Sequence, residues 1–385
     1  MGATVIVSGA LANKPGNGGE AWVRLSWLRG LAQLGFDAWF VEELAAPAEG
    51  FDDAAISNAA AWFTSVLAPF GYSERAVLLN DGHVLTRTDA VQDLDDVRDL
   101  IRSAALVVDI SGCLRRADLL DLARVSAYVD LDPGHTQIWH AQGAPLFLDR
   151  YRLHFTVGER VGTPECTLPT GGLSWLPCRQ PVVLDDWPAI PRPPTVAFTT
   201  VTTWRCPFGT AEWQGQADPA KHHEFRSLMD LPSRVEAPLE VAVAMYEADG
   251  ADRDRLVAGG WRVRDASDVA CTPARFRAFV QRSWGELSAA QGVYAYTRSG
   301  WFSDRSARYL ATGRPVVVQD TGIVDQIPTG DGLLTFTDVD GAAAAIRTVL
   351  ADPDRHARAA RHIAETHFAA PVVLGPFVER CGVAP

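Results

Sequence analysis

A short polar stretch near residue 300 has the composition of an anion-binding helix start. Ser303, Asp304 and Arg305 follow a loop of small and aromatic residues, and a helix is predicted to run from here to about Ala311. Ser303 or Asp304 suits the N-cap, where a side-chain oxygen accepts a hydrogen bond from a free backbone N–H. The helix dipole disfavours a cation in the first turn, and Arg305 makes sense at this position if its guanidinium faces a bound diphosphate.

Two further loops carry groups that suit phosphate contacts. Residues 199–205 (TTVTTWR) contain Thr202 and Thr203, whose hydroxyls can donate hydrogen bonds. The turn NKPGNGG contains Gly18 and Gly19, which would let a ligand approach the backbone closely. This turn has neither the full G-x-G-x-x-G spacing nor a Gly-Lys-Ser/Thr ending, so it matches neither a dinucleotide fingerprint nor a Walker loop. An ordinary polar loop and an ordinary glycine turn are the structural alternatives.

Asp132 and His135 lie in the sequence AYVDLDPGHT, at the end of a predicted strand. A carboxylate and an imidazole at such an edge are suitable general bases for a hydroxyl group, and we predict a catalytic role for these two residues. The Asp-Pro-Gly sequence is also a favourable turn, which is the alternative explanation. Glu159 is a weaker candidate for the same base.

Alternating strands and helices must position these residues. Strands at Thr4–Ser8 and 37–41 flank a predicted helix at 20–34, in which Glu20 and Arg24 form a favourable i, i+4 pair. A strand, a helix and a strand within about 40 residues indicate a βαβ unit. The same alternation continues through further predicted strands at Leu106–Ile110, 127–131 and 154–157.

A second alternating series follows a proline-rich break. Residues 168–194 hold seven prolines and two adjacent glycines, and this segment is the predicted interdomain linker. Two consecutive series of this kind predict an α/β fold, in which two Rossmann-like doubly wound domains face each other across a cleft. The second series comprises predicted strands at 195–200, Leu239–Ala244, 261–263, Gly292–Tyr296, 315–319 and 332–336, with an amphipathic helix at 275–287.

The composition argues against several classes of protein. A chain of 385 residues is too long for one ordinary core, and a net charge of −12 opposes binding to nucleic acid or to an anionic membrane. The six cysteines are far apart and form no C-x-x-C pair, so no metal site is predicted. The first twelve residues have neither a basic segment nor a long apolar run. We therefore expect a cytoplasmic protein without a membrane span.

The segment from residue 293 to residue 368 resembles the donor half of the GT-B glycosyltransferases. The resemblance rests on ATGRPVVV at 311–318, then Asp320, Gly322, Gly330 and Gly332, then a helical tail rich in Ala, Arg and Asp. The order Ser303-Asp304-Arg305 is similar to the S-x-R sequence of spore-protein-like and group 1-like members.

This resemblance implies a reaction and a division of labour. Residues 1–180 would bind the acceptor, residues 181–365 would bind the donor, and residues 366–385 would pack back on the first domain. The donor would be a UDP, dTDP or GDP sugar, with no tightly bound cofactor and no metal, and the acceptor would be a small molecule or a glycan. Besides the residues above, Thr321 and Gly322 would belong to the donor site.

One departure from the family pattern leaves alternatives open. Many retaining members have an acidic pair here, of which one acid binds the donor ribose, whereas this sequence has Gly300–Trp301 and Arg308 in those regions. A nucleotide-sugar epimerase and a non-catalytic sugar-nucleotide-binding protein are therefore the rival interpretations.

Overall fold

The structure, a computed structural model, describes residues 2–44, 52–191, 197–205, 211–217 and 221–385. Within these residues the chain forms two α/β domains. Each is built on a parallel sheet with buried strands and flanking helices.

The first domain contains a mostly parallel sheet in the order β4-β3-β2-β1-β5-β6-β7-β8. Only the pairing of the edge strand β4 with β3 is antiparallel. The strands are β1 (Thr4–Ser8), β2 (Asp37–Glu43), β3 (Ala76–Asn80), β4 (His83–Val84), β5 (Leu106–Ile110), β6 (Ser126–Asp130), β7 (Leu153–Thr156) and β8 (Trp175–Pro177). The helices are α1 (Gly18–Gln33), α2 (Asp53–Leu67), α3 (Leu94–Ser103), α4 (Ala117–Leu120) and α5 (His135–Ala141).

The second domain contains a parallel sheet in the order β13-β12-β9-β14-β15-β16 and a separate hairpin, β10-β11. The strands are β9 (Phe198–Thr203), β10 (Glu212–Trp213), β11 (Gln216–Ala217), β12 (Leu239–Ala244), β13 (Arg262–Asp265), β14 (Gly285–Ser288), β15 (Val316–Gln319) and β16 (Leu333–Phe336). The helices are α6 (Lys221–Arg226), α7 (Gly250–Ala258), α8 (Ala266–Ala270), α9 (Pro273–Arg282), α10 (Gly292–Tyr296), α11 (Asp304–Ala311), α12 (Val339–Ala351) and α13 (Pro353–His367), and they are followed by the last helix, α14 (Ala370–Arg380).

The predicted pair of doubly wound α/β domains is confirmed, but two predicted elements are wrong. The segment Gly292–Tyr296 is the short helix α10 and not a strand. The central strand β14 instead occupies Gly285–Ser288, where the predicted helix at 275–287 was expected to continue. That helix stops at Arg282, and β14 then pairs with both β9 and β15. The predicted strand at 195–200 lies partly outside the described residues.

The C-terminal segment returns to the first domain. A parallel bridge joins Val182 to Ala369, and the backbone N–H of Ala370 donates to the carbonyl of Val182 at 2.8 Å. Helix α14 then packs on α1, where a Cβ on Gly30 would lie 2.5 Å from the side chain of Leu374. The glycine therefore permits a close contact between two helices that are far apart in sequence.

In the described part of the chain, no helix combines the length and the apolar character that crossing a bilayer requires.

Candidate functional site

A cavity of about 450 Å³ is lined by residues of both domains. One wall is the loop before α1 and the first turn of that helix, including Gly19 and Glu20. The facing wall consists of the carboxyl ends of β9, β12 and β13, together with Lys221, Asp304 and Arg305. Because parallel α/β sheets bind ligands at the carboxyl ends of their strands, this cavity is the candidate site.

The loop before α1 is held in place by a buried carboxylate. Glu42, at the end of β2, accepts hydrogen bonds from the backbone N–H groups of Leu11, Ala12 and Asn13 at 2.9, 2.8 and 3.0 Å. The side chain of Asn17 then accepts the N–H of Glu20 at 3.1 Å and caps the helix. These contacts fix the course of the glycine-rich turn across the cavity.

Gly18 and Gly19 bring the first domain into contact with the second. A Cβ on Gly18 would lie 2.2 Å from the carbonyl oxygen of Thr272, and one on Gly19 would lie 3.3 Å from the ring of Phe276. Beside them, Nε1 of Trp22 donates to the carbonyl of Pro273 at 2.8 Å. Gly19 therefore lines the cavity, whereas Gly18 forms a domain contact at its rim.

Arg305 lines the cavity, but its guanidinium is already hydrogen-bonded to neighbouring protein groups. Its Nε pairs with the carboxylate of Glu286, its Nη1 donates to the carbonyl of Val201 at 2.8 Å, and its Nη2 donates to Ser288 Oγ at 2.5 Å. Burial opposes the charge of Arg305, but the attraction and the hydrogen bond of Glu286, together with the charge of Asp304, raise the pKa of the guanidinium. Arg305 is thus a fixed cation at the base of the cavity.

Lys221, the first residue of α6, supplies a second cation. Burial, together with the positive charge of Arg305, lowers the pKa of its ammonium group to about 7. Glu286, Asp304 and Asp132 act in the opposite direction. The two cations repel each other in a cavity from which water is partly excluded. A bound anion would therefore stabilise the charged form of both side chains.

The remaining donor-site candidates at this edge have different surroundings. Thr202 and Thr203 line the cavity, and the Thr202 hydroxyl donates to the carbonyl of Thr203 at 3.1 Å. Asp304 also lines it and pairs with Arg308 at 2.6 Å. Ser303 is buried and caps α11, since its hydroxyl accepts the N–H of Arg305 at 3.2 Å.

Thr321 and Gly322 lie away from this cavity. The Thr321 hydroxyl donates to the carbonyl of Trp301 at 2.6 Å. Gly322 packs against Arg160 of the first domain, whose Nη1 donates to the Gly322 carbonyl at 3.3 Å and pairs with Asp325. Gly322 thus forms an interdomain contact and Thr321 is bonded within the second domain, and neither residue is among the groups that line the cavity.

Asp132 and His135 occupy different environments although they are three residues apart. Asp132 is exposed, accepts a hydrogen bond from the Tyr294 hydroxyl at 3.0 Å, and lies close enough to Lys221 to raise its pKa. His135 is 3% exposed and packs edge-on against the rings of Trp139 and Tyr294. Of the two, Asp132 is the one that solvent or a ligand reaches.

The turn that carries both residues is organised by Asp130. This buried carboxylate accepts hydrogen bonds from Thr136 Oγ1, Gln137 Nε2 and Thr156 Oγ1 at 2.7, 2.8 and 2.7 Å. Glu159, the weaker candidate base, is bound to Arg179 by contacts of 2.7 and 3.0 Å. Asp130 therefore shapes the turn, and Glu159 is engaged in an ion pair.

Sequence reasoning missed Lys221 and the position of Glu20 on the cavity wall. Nothing in the local sequence marks Lys221, because its importance comes from proximity to Arg305 across the fold. Glu20 was visible as a first-turn acid paired with Arg24, but its position on the cavity wall depends on the tertiary structure. In the part of the chain that is described, no group of three His, Cys, Asp or Glu side chains is arranged to hold a metal ion.

Comparisons with known proteins identify the fold. No protein-family model matches the chain, and no curated protein matches it in sequence. Among solved structures, an alpha-glucosyltransferase in complex with UDP and DNA matches with a TM-score of 0.61 at 10% identity over 100% of both chains. Anabaena Alr3699/HepE in complex with UDP-glucose gives 0.59 at 13% identity over 99% of both chains. AviGT4, a glycosyltransferase involved in avilamycin A biosynthesis, gives 0.55 at 13% identity over 99% of this chain and 97% of its own. The predicted GT-B fold is confirmed.

Proposed function

We propose that this chain is a glycosyltransferase that moves a sugar from a nucleoside diphosphate sugar to a small-molecule or glycan acceptor. The observation that carries the proposal is the interdomain cavity, in which Lys221 and Arg305 face the glycine-rich turn of the other domain. The fold agrees with this reading, because structural neighbours with UDP or UDP-glucose bound have the same architecture.

The second domain would hold the diphosphate of the donor. Lys221 and Arg305 would pair with its oxygens, and the hydroxyls and backbone of Thr202 and Thr203 would add hydrogen bonds. Charge builds up on the diphosphate as the sugar leaves, so cations that are already in place stabilise the transition state more than the ground state. The contact of Gly18 with Thr272 closes one rim and limits access of water to the bound donor.

Asp132 is the proposed general base for the acceptor hydroxyl. It is exposed near the cation end of the cavity, where an acceptor could approach the sugar. His135 would act as a positioning residue, because its ring packs on Tyr294, whose hydroxyl donates to Asp132. The net charge of −12 favours a small or glycan acceptor over a nucleic acid, although one structural neighbour holds DNA.

A thermal-shift panel of UDP, dTDP, GDP and ADP tests the donor site. Ligands that bind the native state raise the melting temperature by mass action, and at least one diphosphate should do so. Arg305→Ala is a poor test variant, because it leaves the buried Glu286 carboxylate without its partner and destabilises the fold. Lys221→Met removes a cavity cation without this effect and should lose most of the shift.

A matched control is Arg102→Met, which removes one positive charge from an exposed position on α3 and should keep the full shift. Transfer is then assayed by release of free nucleoside diphosphate with and without acceptors. Failure of every nucleotide to bind would refute the proposal. Binding without transfer or donor hydrolysis would indicate a non-catalytic binding protein, and interconversion of the donor sugar without acceptor would indicate an epimerase.

A further inference from the structure

The short helix that carries Lys221 depends on its neighbours for its position. Helix α6 has six residues, and a helix of this length is not stable in isolation. Phe225 packs into the core of the second domain, and the guanidinium of Arg226 binds the carboxylate of Asp252 at 2.6 Å. These contacts hold the end of α6, whereas Lys221 lies at its start. The place of the ammonium group in the cavity therefore depends on what holds the first turn.

Gln319, the last residue of β15, holds that turn. Its Nε2 donates to Oε2 of Glu224 at 2.6 Å, and Glu224 lies one helical turn after Lys221. Its Oε1 accepts the backbone N–H of Ala290 at 3.0 Å. The next residue, Gln291, accepts the backbone N–H of Lys221 through its own Oε1 at 2.9 Å. The side chain of Gln319 is thus bonded both to α6 and to the loop that binds the first residue of α6.

The chemistry of these two hydrogen bonds selects an amide side chain. In Gln319 the N–H donor faces a carboxylate, while the oxygen acceptor faces a backbone N–H. Rotation of the amide by half a turn would bring two acceptors together and two donors together, so one orientation alone satisfies both partners. The backbone of β15 is fixed between β14 and β16. The amide is therefore a defined link from the sheet to α6.

We propose that Gln319 is a positioning residue that sets the place of Lys221 beside Arg305 in the cavity. Its consequence for ligand binding rests on the function proposed above, whereas the place of Lys221 is a property of the free protein. Gln319 is not among the described residues that line the cavity, so its effect on a ligand passes through α6. Such a residue acts by fixing the geometry of a group that does contact the ligand.

Displacement of the first turn of α6 would change the pKa of Lys221. In the native arrangement, burial and the charge of Arg305 lower this pKa to about 7. Three carboxylates act in the opposite direction: Glu286, Asp304 and Asp132. Burial has the largest effect, so access of water to the ammonium raises the pKa. Gln319→Leu removes both hydrogen bonds without changing the net charge, and we expect it to raise the pKa of Lys221 by at least about one unit.

This pKa can be measured without any ligand. The sequence contains two lysines, Lys14 and Lys221, so a stable-isotope label at lysine Cε gives two NMR signals whose shifts follow protonation. Lys221→Met assigns the signals, because it removes one of them. In Gln319→Leu the titration midpoint of Lys221 should rise, and the Lys14 signal should be unchanged. The matched control Gln92→Leu removes an amide that bonds the carbonyl of Thr88 in the first domain, and it should keep the wild-type midpoint.

An exchange of the two partners tests whether the hydrogen bonds are responsible. The double variant Gln319→Glu/Glu224→Gln has the wild-type net charge, and its carboxylate and amide can form both bonds with their roles exchanged. Its Lys221 midpoint should return to within about half a unit of wild type. A lower melting temperature in Gln319→Leu with an unchanged midpoint would mean that Gln319 only stabilises the fold, and it would overturn the proposal. So would a double variant that titrates as Gln319→Leu does.

Nucleotide binding separates this proposal from the proposed function. With a midpoint of about 7, the wild-type protein should take up about 0.9 proton when a nucleoside diphosphate binds at pH 8. A midpoint one unit higher leaves about half of the free protein protonated at this pH, so the uptake in Gln319→Leu should fall to about 0.5 proton. Absence of nucleotide binding to wild-type protein would refute the proposed function, and the NMR midpoints would still decide the role of Gln319.

Discussion

Binding of a nucleoside diphosphate beside Lys221 should draw a proton from solution. In the free protein, burial and the charge of Arg305 lower the pKa of Lys221 to about 7. A bound diphosphate favours the charged ammonium, so the pKa rises in the complex. The complex therefore holds more protons than the free protein at any pH between the two pKa values.

The size of the effect follows from simple electrostatics. A unit negative charge about 4 Å from the ammonium contributes about 4 kcal/mol at an effective dielectric constant of about 20, which moves the pKa of Lys221 well above 8. At pH 8 about one-tenth of the free protein carries the proton, whereas nearly all of the complex does, so about 0.9 proton is taken up. Between pH 7 and pH 9 the affinity should fall about 50-fold.

Calorimetric titrations at pH 8 in HEPES and in Tris measure this uptake, because the two buffers differ in ionisation enthalpy. The nucleotide contributes little at this pH, since its last phosphate ionisation has a pKa of about 6. Lys221→Met should bind more weakly, with no uptake and a flat pH profile, while Arg102→Met should behave as wild type. Measurable wild-type binding with an uptake below about 0.2 proton would refute the placement of the diphosphate at Lys221.

Three other substitutions test the remaining parts of the site. Gly18→Ala should lower the melting temperature and the nucleotide affinity, because a Cβ would lie 2.2 Å from the Thr272 oxygen; Gly375→Ala, with nothing within 4 Å, should lower neither. Asp132→Asn should reduce turnover by about 10²- to 10⁴-fold with little change in nucleotide affinity, and normal turnover would exclude Asp132 as the base. Glu42 accepts hydrogen bonds from three loop N–H groups, and Glu42→Gln should speed hydrogen exchange of these amides by about 10- to 100-fold. Unchanged protection would show that Glu42 does not hold the loop in place.

Most of the sheet architecture could be predicted because the strands are buried and rich in β-branched residues. The predicted strands Thr4–Ser8, Leu106–Ile110 and Leu239–Ala244 have the observed bounds. The error at Gly292–Tyr296 has the same origin, since GVYAY has the composition of a strand. Its Val293 and Tyr294 are instead buried as part of a helix, and Val293 lies directly against Gly134 of the first domain. Tertiary packing overrides local preference here.

The site was less predictable than the sheets, because charge partners are not encoded locally. The sequence placed Arg305 at a helix start on the cleft, which is where it lies. Its partner Glu286 was concealed in a segment that was predicted to be helical, although it belongs to the central strand β14. Sequence patterns therefore predicted the position of Arg305, whereas its fixation by Glu286 can be seen only in the fold.

That fixed cation gives a physical reason for a lysine as the predicted proton-linked group. Arginine keeps its charge at any physiological pH, and Glu286 holds Arg305 in one position under the cavity. Its positive charge therefore acts on Lys221 at every physiological pH. The ammonium of lysine has a lower intrinsic pKa than a guanidinium, so Lys221 can lose its proton. The free protein can then shed one of two repelling charges, and the proposed diphosphate would restore it. Replacement of Lys221 by arginine should remove the pH dependence while retaining binding, because a guanidinium would stay charged in both states.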